Sequence, residues 1–145
     1  MNSSGTNSEK QIRILHVDDD PSFLEIVKLI LELNHNILVD STHSCFDALS
    51  LLKSTGYDAV ISDYRMIQMD GMTFLQKIRE IDPEIPFIFF SGGCADEIPH
   101  YNPRDQSTVF LQKGGNPAIR YAELYHCICE RVHVRRFNSS DSSLI

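Results

Sequence analysis

At 145 residues, with 42% hydrophobic and 23% charged residues, the chain has the length and composition of one globular domain, and folding it buries roughly 70% of the surface of the unfolded chain. No apolar run is long enough to cross a bilayer, so a membrane role is not expected, and a core of this size needs neither disulfide nor structural metal. The formal charge of -7 repels a phosphate backbone, and the residues after 137 are too few for a helix-turn-helix module, so direct nucleic-acid binding is not expected either.

The elements alternate from the start. Ile12 to Val17 is nearly continuous in apolar residues, as a strand buried on both faces is. Asp20 followed by Pro21 marks a helix start, because the carboxylate accepts from free N–H groups of the first turn and a proline at the first helical position sacrifices no bond. That helix is predicted to reach about Asn34, with Phe23, Ile26, Val27, Ile30 and Leu33 toward the sheet. A strand follows around Ile37 to Val39, then a helix around Phe46 to Lys53 that Ser44 and Asp47 can cap, then a strand around Ala59 to Ile61. After Gly71 the pattern gives a helix over Thr73 to Glu80, strands over Pro86 to Phe90 and Thr108 to Leu111, and a long helix from Pro117 to about Arg136. Ala118, Tyr121, Ala122, Tyr125, Cys129 and Val132 form the apolar stripe expected on that last helix. Strands alternating with helices imply one α/β domain with a five-stranded parallel sheet covered on both sides, its ligands beyond the carboxyl ends of the strands.

The folded domain is read as residues 11–136, between tails at 1–10 and 137–145 that are rich in Ser and Asn and expected to be disordered. The opening MNSSGTNSEK lacks the apolar stretch of a secretory signal, which makes the cytoplasm the expected compartment and reduced cysteines the expected state. Cys45, Cys94, Cys127 and Cys129 form no CxxC pair and read as small apolar fillers. His16, inside a buried strand, reads as a hydrogen-bonded core histidine.

The chemistry gathers at the strand ends: Asp18, Asp19 and Asp20 after the first strand, Asp63 after the third, Ser91 after the fourth and Lys113 after the fifth. Carboxylates crowded on one sheet edge repel by roughly 4 kcal/mol per pair at ~4 Å and an effective dielectric of about 20, which calls for a positive partner. Magnesium suits such a cluster, since it takes oxygen ligands and combines one or two carboxylates with phosphate oxygens and water. A carboxylate beside that ion can attack a phosphoryl group, with Lys113 neutralising its oxygens and the Ser91 hydroxyl donating to one of them. Gly92 and Gly93 leave the approach open.

Through ILHVDDDP at 14–21, DAVISDYRMIQMDGMTFL at 58–75, PFIFFSGG at 86–93 and VFLQK ending in Lys113, the chain resembles the response-regulator receiver family over about residues 10 to 135. The resemblance implies a doubly wound, flavodoxin-like sheet of order 2-1-3-4-5, and a function as the phosphoacceptor domain of a two-component phosphorelay. It implies Asp63 as the phosphoacceptor, and Mg2+ bound by Asp18, Asp19, Asp63 and the backbone carbonyl of Arg65. Ser91 would be the switch hydroxyl and Phe110 the switch aromatic. The implied partners are a histidine kinase or phosphotransfer protein and a downstream protein target or adjoining domain.

Three departures stand out. Ile67 and Gly114 occupy positions where the family usually has proline, and the second change predicts a more flexible or differently shaped loop after Lys113. Pro99 and Pro103 interrupt the stretch from Ala95 to Gln106, so an irregular fourth helix is expected there. Two other readings compete. A haloacid-dehalogenase-type phosphatase, with Asp18 attacking and Asp20 as acid, requires a further acidic pair after Lys113, where only Asp141 follows in the tail besides glutamates of the last helix. A receiver fold used purely as an interaction module, without phosphorylation, fits the same residues.

Overall fold

A computed structural model describes the backbone of residues 11–92 and 107–143, with side chains through Ser139. Five strands, β1 (Ile12–Val17), β2 (Ile37–Thr42), β3 (Ala59–Ser62), β4 (Phe87–Ser91) and β5 (Thr108–Gln112), form one sheet. Its order is β2-β1-β3-β4-β5, and every pairing is parallel. The four described helices are α1 (Pro21–Leu31), α2 (Cys45–Ser54), α3 (Gly71–Ile81) and α4 (Pro117–Ser143). The stretch from Ala95 to Gln106, with Pro99 and Pro103, lies outside the described residues.

Parallel strands covered on both faces lose the alternation of inside and outside, and β3 and β4 are buried at every position. The sheet divides the core in two. Leu15, Val17, Val60, Phe87 and Phe89 pack on one face with Ala48 and Leu52 of α2 and Phe74, Leu75 and Ile78 of α3. Ile14, Ile61, Ile88 and Phe90 pack on the other with Val27 and Leu31 of α1 and Leu124, Ile128 and Val132 of α4. Each fully buried Phe, Leu or Ile contributes about 1.5–3 kcal/mol of transfer free energy.

Local signals fix the helix starts. Asp20 Oδ1 accepts from Ser22 N at 3.0 Å and Phe23 N at 3.3 Å, and Pro21 opens α1, as the sequence predicts. Ser44 Oγ accepts from Asp47 N at 3.1 Å to cap α2. Asp70 caps α3 through Thr73 N at 2.9 Å, so that helix begins at Gly71 rather than Thr73.

The buried faces differ from expectation in two helices. Helix α1 ends at Leu31 rather than at about Asn34; its buried residues are Leu24, Val27 and Leu31, while Ile26 is exposed and Leu33 is exposed beyond its end. On α4 the buried line runs Leu124, Ile128 and Val132, with Tyr121 and Tyr125 packed beside it and Ala118 and Ala122 exposed. Both helices are apolar on more than one side, so periodicity alone admits two neighbouring stripes, and the crossing of the helix over the sheet selects one. Helix α4 also continues past Arg136 to Ser143, into the stretch read as a disordered tail. Neither glycine nor proline follows Arg136 to stop it.

Gly71 marks the tightest approach. A Cβ there would stand 2.6 Å from Phe89 Cε1 and 2.9 Å from the Tyr64 Cα, whereas Gly56 has nothing within 4 Å. Gly71→Ala is therefore expected to cost about 1–3 kcal/mol in urea unfolding, and Gly56→Ala to stay within about 1 kcal/mol of the parent.

Candidate functional site

Register brings the strand ends level: Val17 pairs with Ser62 and with Thr42, and Ser91 with Gln112. The next residues therefore emerge together at the carboxyl edge. Asp63 N donates to Val17 O at 3.2 Å and Lys113 N to Ser91 O at 2.8 Å, which extends the ladder by one step into the site.

At the centre, Lys113 Nζ lies 2.8 Å from Asp18 Oδ2 and 3.3 Å from Asp63 Oδ2. The lysine meets the demand for positive charge directly. Its ammonium also sits 4.3 Å from the centroid of the Phe23 ring, a cation–π contact made by the first turn of α1. Beneath it, Phe23 stacks toward Phe90 and toward His16, with ring centroids 5.6 and 5.9 Å away.

Each aspartate spends one oxygen on a backbone amide. Asp18 Oδ1 accepts from Asp20 N at 2.9 Å, Asp63 Oδ1 from Tyr64 N at 2.7 Å, and Asp19 Oδ2 from Ile67 N at 2.8 Å. These bonds orient the carboxylates and leave their second oxygens to other donors. Gln68 ties the same β3–α3 loop to α2, its Oε1 accepting from Cys45 N at 2.7 Å.

Burial drives the Asp18 carboxyl above the usual range, against the opposing pull of Lys113 and the Asp20 amide. Burial likewise pulls Lys113 down, but Asp18 and Asp63 outweigh it and hold the ammonium above the usual lysine value. The charged state of Lys113 is thus secure at neutral pH.

Ser91 is buried at the end of β4, and Gly92 has open space where a side chain would stand. Gly93 lies outside the described residues. Phe110 is half-buried on β5, its ring 6.0 Å from Phe89, which in turn meets Tyr64 edge-on at 5.7 Å. The sequence reading thus assembles Asp18, Asp19, Asp63, Ser91 and Lys113 on one edge. It missed Phe23, seen only as a core residue, and the backbone amides of Tyr64 and Ile67, which leave no trace in residue type. Asp20, the acid of the phosphatase reading, is occupied as the cap of α1.

The loop after Lys113 turns through a left-handed glycine. Gly115 adopts φ +91°, a left-handed conformation that glycine tolerates best, and none of the described peptide bonds is cis.

His16 corrects one expectation. It is fully buried, but neither ring nitrogen finds a hydrogen-bond partner among the described residues.

Among the described residues no three His, Cys, Asp or Glu side chains are gathered into a metal cage. The oxygen-only donors Asp18, Asp19 and Asp63 nevertheless fit magnesium, which asks for only one or two carboxylates and fills its remaining positions with water and phosphate oxygens.

The family model for the response regulator receiver domain matches residues 14–114. Among curated relatives, the transcriptional regulatory protein GlrR of Escherichia coli (strain K12) is 36% identical over 93 residues, covering 63% of this chain and 21% of that protein. Response regulator Rre1 of Synechocystis sp. is 34% identical over 110 residues, covering 73% of this chain and 47% of that one. A solved response regulator receiver protein from Sinorhizobium medicae WSM419 superposes with a TM-score of 0.67 at 26% identity, covering 86% of this chain and 97% of the other. The chain belongs to the response regulator receiver domain family of two-component signalling. It spans about a fifth of the length of GlrR and about half that of Rre1.

Burial, reinforced by the charge of Lys113, pushes the His16 imidazole from 6.5 down to about 3. The fold holds the neutral ring, so this contribution is complete above pH 6.5 and is lost as pH falls from there toward about 3. Stability should decline by up to about 1.4 kcal/mol per pH unit through that window from this group. Urea unfolding of His16→Leu between pH 7 and 4 is expected to show a shallower slope than the parent.

Proposed function

We propose that Asp63 accepts a phosphoryl group from a histidine kinase or phosphotransfer protein, and that Mg2+ bound by Asp18, Asp19, Asp63 and the backbone carbonyl of Arg65 assists the transfer. The observation that carries this reading is the Lys113 ammonium set between Asp18 and Asp63, at 2.8 and 3.3 Å. The ion, when bound, neutralises charge on the phosphoryl oxygens.

The residues divide the remaining work. Asp63 attacks phosphorus with one carboxylate oxygen. A P–O bond forms as the donor's bond to phosphorus breaks, and the donor imidazole leaves with the bonding electron pair. Tyr64 N fixes the opposite oxygen of Asp63 and so orients the attack. Lys113 shifts from balancing two carboxylates to pairing with the incoming phosphoryl oxygens, a charge-assisted contact. Ser91 supplies the switch hydroxyl, and Phe110, packed on Phe89, supplies the aromatic ring that follows it.

The domain acts as a signalling acceptor that promotes its own phosphorylation and dephosphorylation, and it passes the signal to a downstream protein or adjoining domain. No described helix is long and apolar enough to cross a membrane. We place the protein in the cytoplasm, beside its kinase, without direct contact to nucleic acid.

Incubation with a small acyl phosphate and Mg2+ should add one phosphoryl group, located at Asp63 by mass spectrometry of the reduced peptide. Asp63→Asn should abolish incorporation, and Lys113→Ala should slow it by roughly a hundredfold. A parent protein that incorporates nothing would favour the unphosphorylated interaction module instead.

A further inference from the structure

The lysine at the centre of the site is followed directly by two glycines. Gly114 and Gly115 give the chain backbone freedom at the point where the Lys113 ammonium must hold a position between two carboxylates. Upstream, Lys113 is fixed by its own amide on Ser91 O. Downstream, glycine brings no side chain to hold the turn.

Arg120 takes hold of it from α4. Its side chain folds back over the helix start, and Nε donates to Gly114 O at 2.5 Å. Nη2 stands 3.3 Å and Nε 3.4 Å from where a Cβ of Gly115 would be, so the Nε–Nη2 edge of the guanidinium faces the left-handed glycine. Glu123, one turn further on, fixes the other end of the group through Nη1 at 3.0 Å. The arrangement runs against helix electrostatics, because the N-terminal turn of a helix disfavours cations and α4 has no acidic residue in its first turn. Arg120 is held there by the carbonyl it caps and by Glu123.

We propose that Arg120 is a positioning residue for Lys113, holding the Gly114–Gly115 turn in the shape that keeps the ammonium between Asp18 and Asp63. The inference rests on the reading of Asp63 as phosphoacceptor for its functional consequence, and on geometry alone for its structural one. Lys113 acts on the phosphoryl group, and Arg120 acts on Lys113.

The test has one arm without phosphodonor and one with it. In Arg120→Ala, 15N relaxation should show the Gly114 and Gly115 amide order parameters falling from about 0.85 to below about 0.6. Phosphoryl incorporation at Asp63 from a small acyl phosphate with Mg2+ should slow roughly tenfold, because Lys113 is no longer held in place. Adding Gly114→Ala should then restore most of the rate, since an alanine there meets nothing within 4 Å and restricts the turn without a new contact. A purely structural role for Arg120 in α4 would not be rescued that way. Unchanged glycine order parameters in Arg120→Ala would overturn the proposal, as would a slowed rate that Gly114→Ala does not recover. A parent that takes up no phosphoryl group would sink the reading of Asp63, and the relaxation arm would still decide the role of Arg120.

Discussion

The site depends on one ion triad. Lys113 reaches back 95 residues to Asp18 and 50 to Asp63, and its ammonium makes it possible for two carboxylates to share one edge of the sheet. Asp18 is buried, and a buried carboxylate without a cation beside it would be driven toward protonation. A buried charge pair is weak ground for stability, because desolvation offsets most of the attraction. Its value lies in poise: the site holds a lysine whose contacts are carboxylate oxygens, and a phosphoryl group offers oxygens of the same kind.

Everything that brings the triad together is ordinary sheet and helix physics. Parallel pairing places the ends of β1, β3 and β5 on one side, so residues far apart in sequence arrive at one edge without any long-range search by side chains. The helices then finish the site from their N-terminal ends. Asp20 both caps α1 and, through its own amide, orients Asp18, while Phe23 two residues into the helix lies under the ammonium. One short segment, residues 18–23, thus does cap and site work at once. The core beneath is divided by the sheet, and the aromatic rings of Phe87, Phe89 and Phe74 on one face and of Phe90 and Phe23 on the other give the edge a stiff base.

Much of this was legible in the residues themselves. Buried parallel strands announce themselves by unbroken apolar runs, and Asp20-Pro21 fixes its helix start to the residue. The positions of Asp18, Asp63, Ser91 and Lys113 follow from strand ends alone. Less legible was anything decided by which way a helix rolls or where it stops: Ile26 on α1 and Ala118 and Ala122 on α4 lie on the predicted apolar stripes yet face outward, and Leu33 lies beyond the end of α1. His16 is core, as a buried strand predicts, but not hydrogen-bonded among the described residues, because residue type gives no sign of which groups a buried ring will face. The end of α4 was missed for a similar reason, since Ser and Asn weaken a helix without forbidding it.

The amide of Ile67 has a consequence for how this site can change over time. An anchor made by a backbone N–H is blind to the side chain attached to it, so the bond from Ile67 to Asp19 survives replacement by any residue that keeps its N–H. Proline alone lacks that hydrogen. A loop that had proline at this position would have to hold Asp19 by some other means, and once isoleucine stands there the carboxylate gains a support that no proline-bearing relative can share. The position is then open to every residue type except proline.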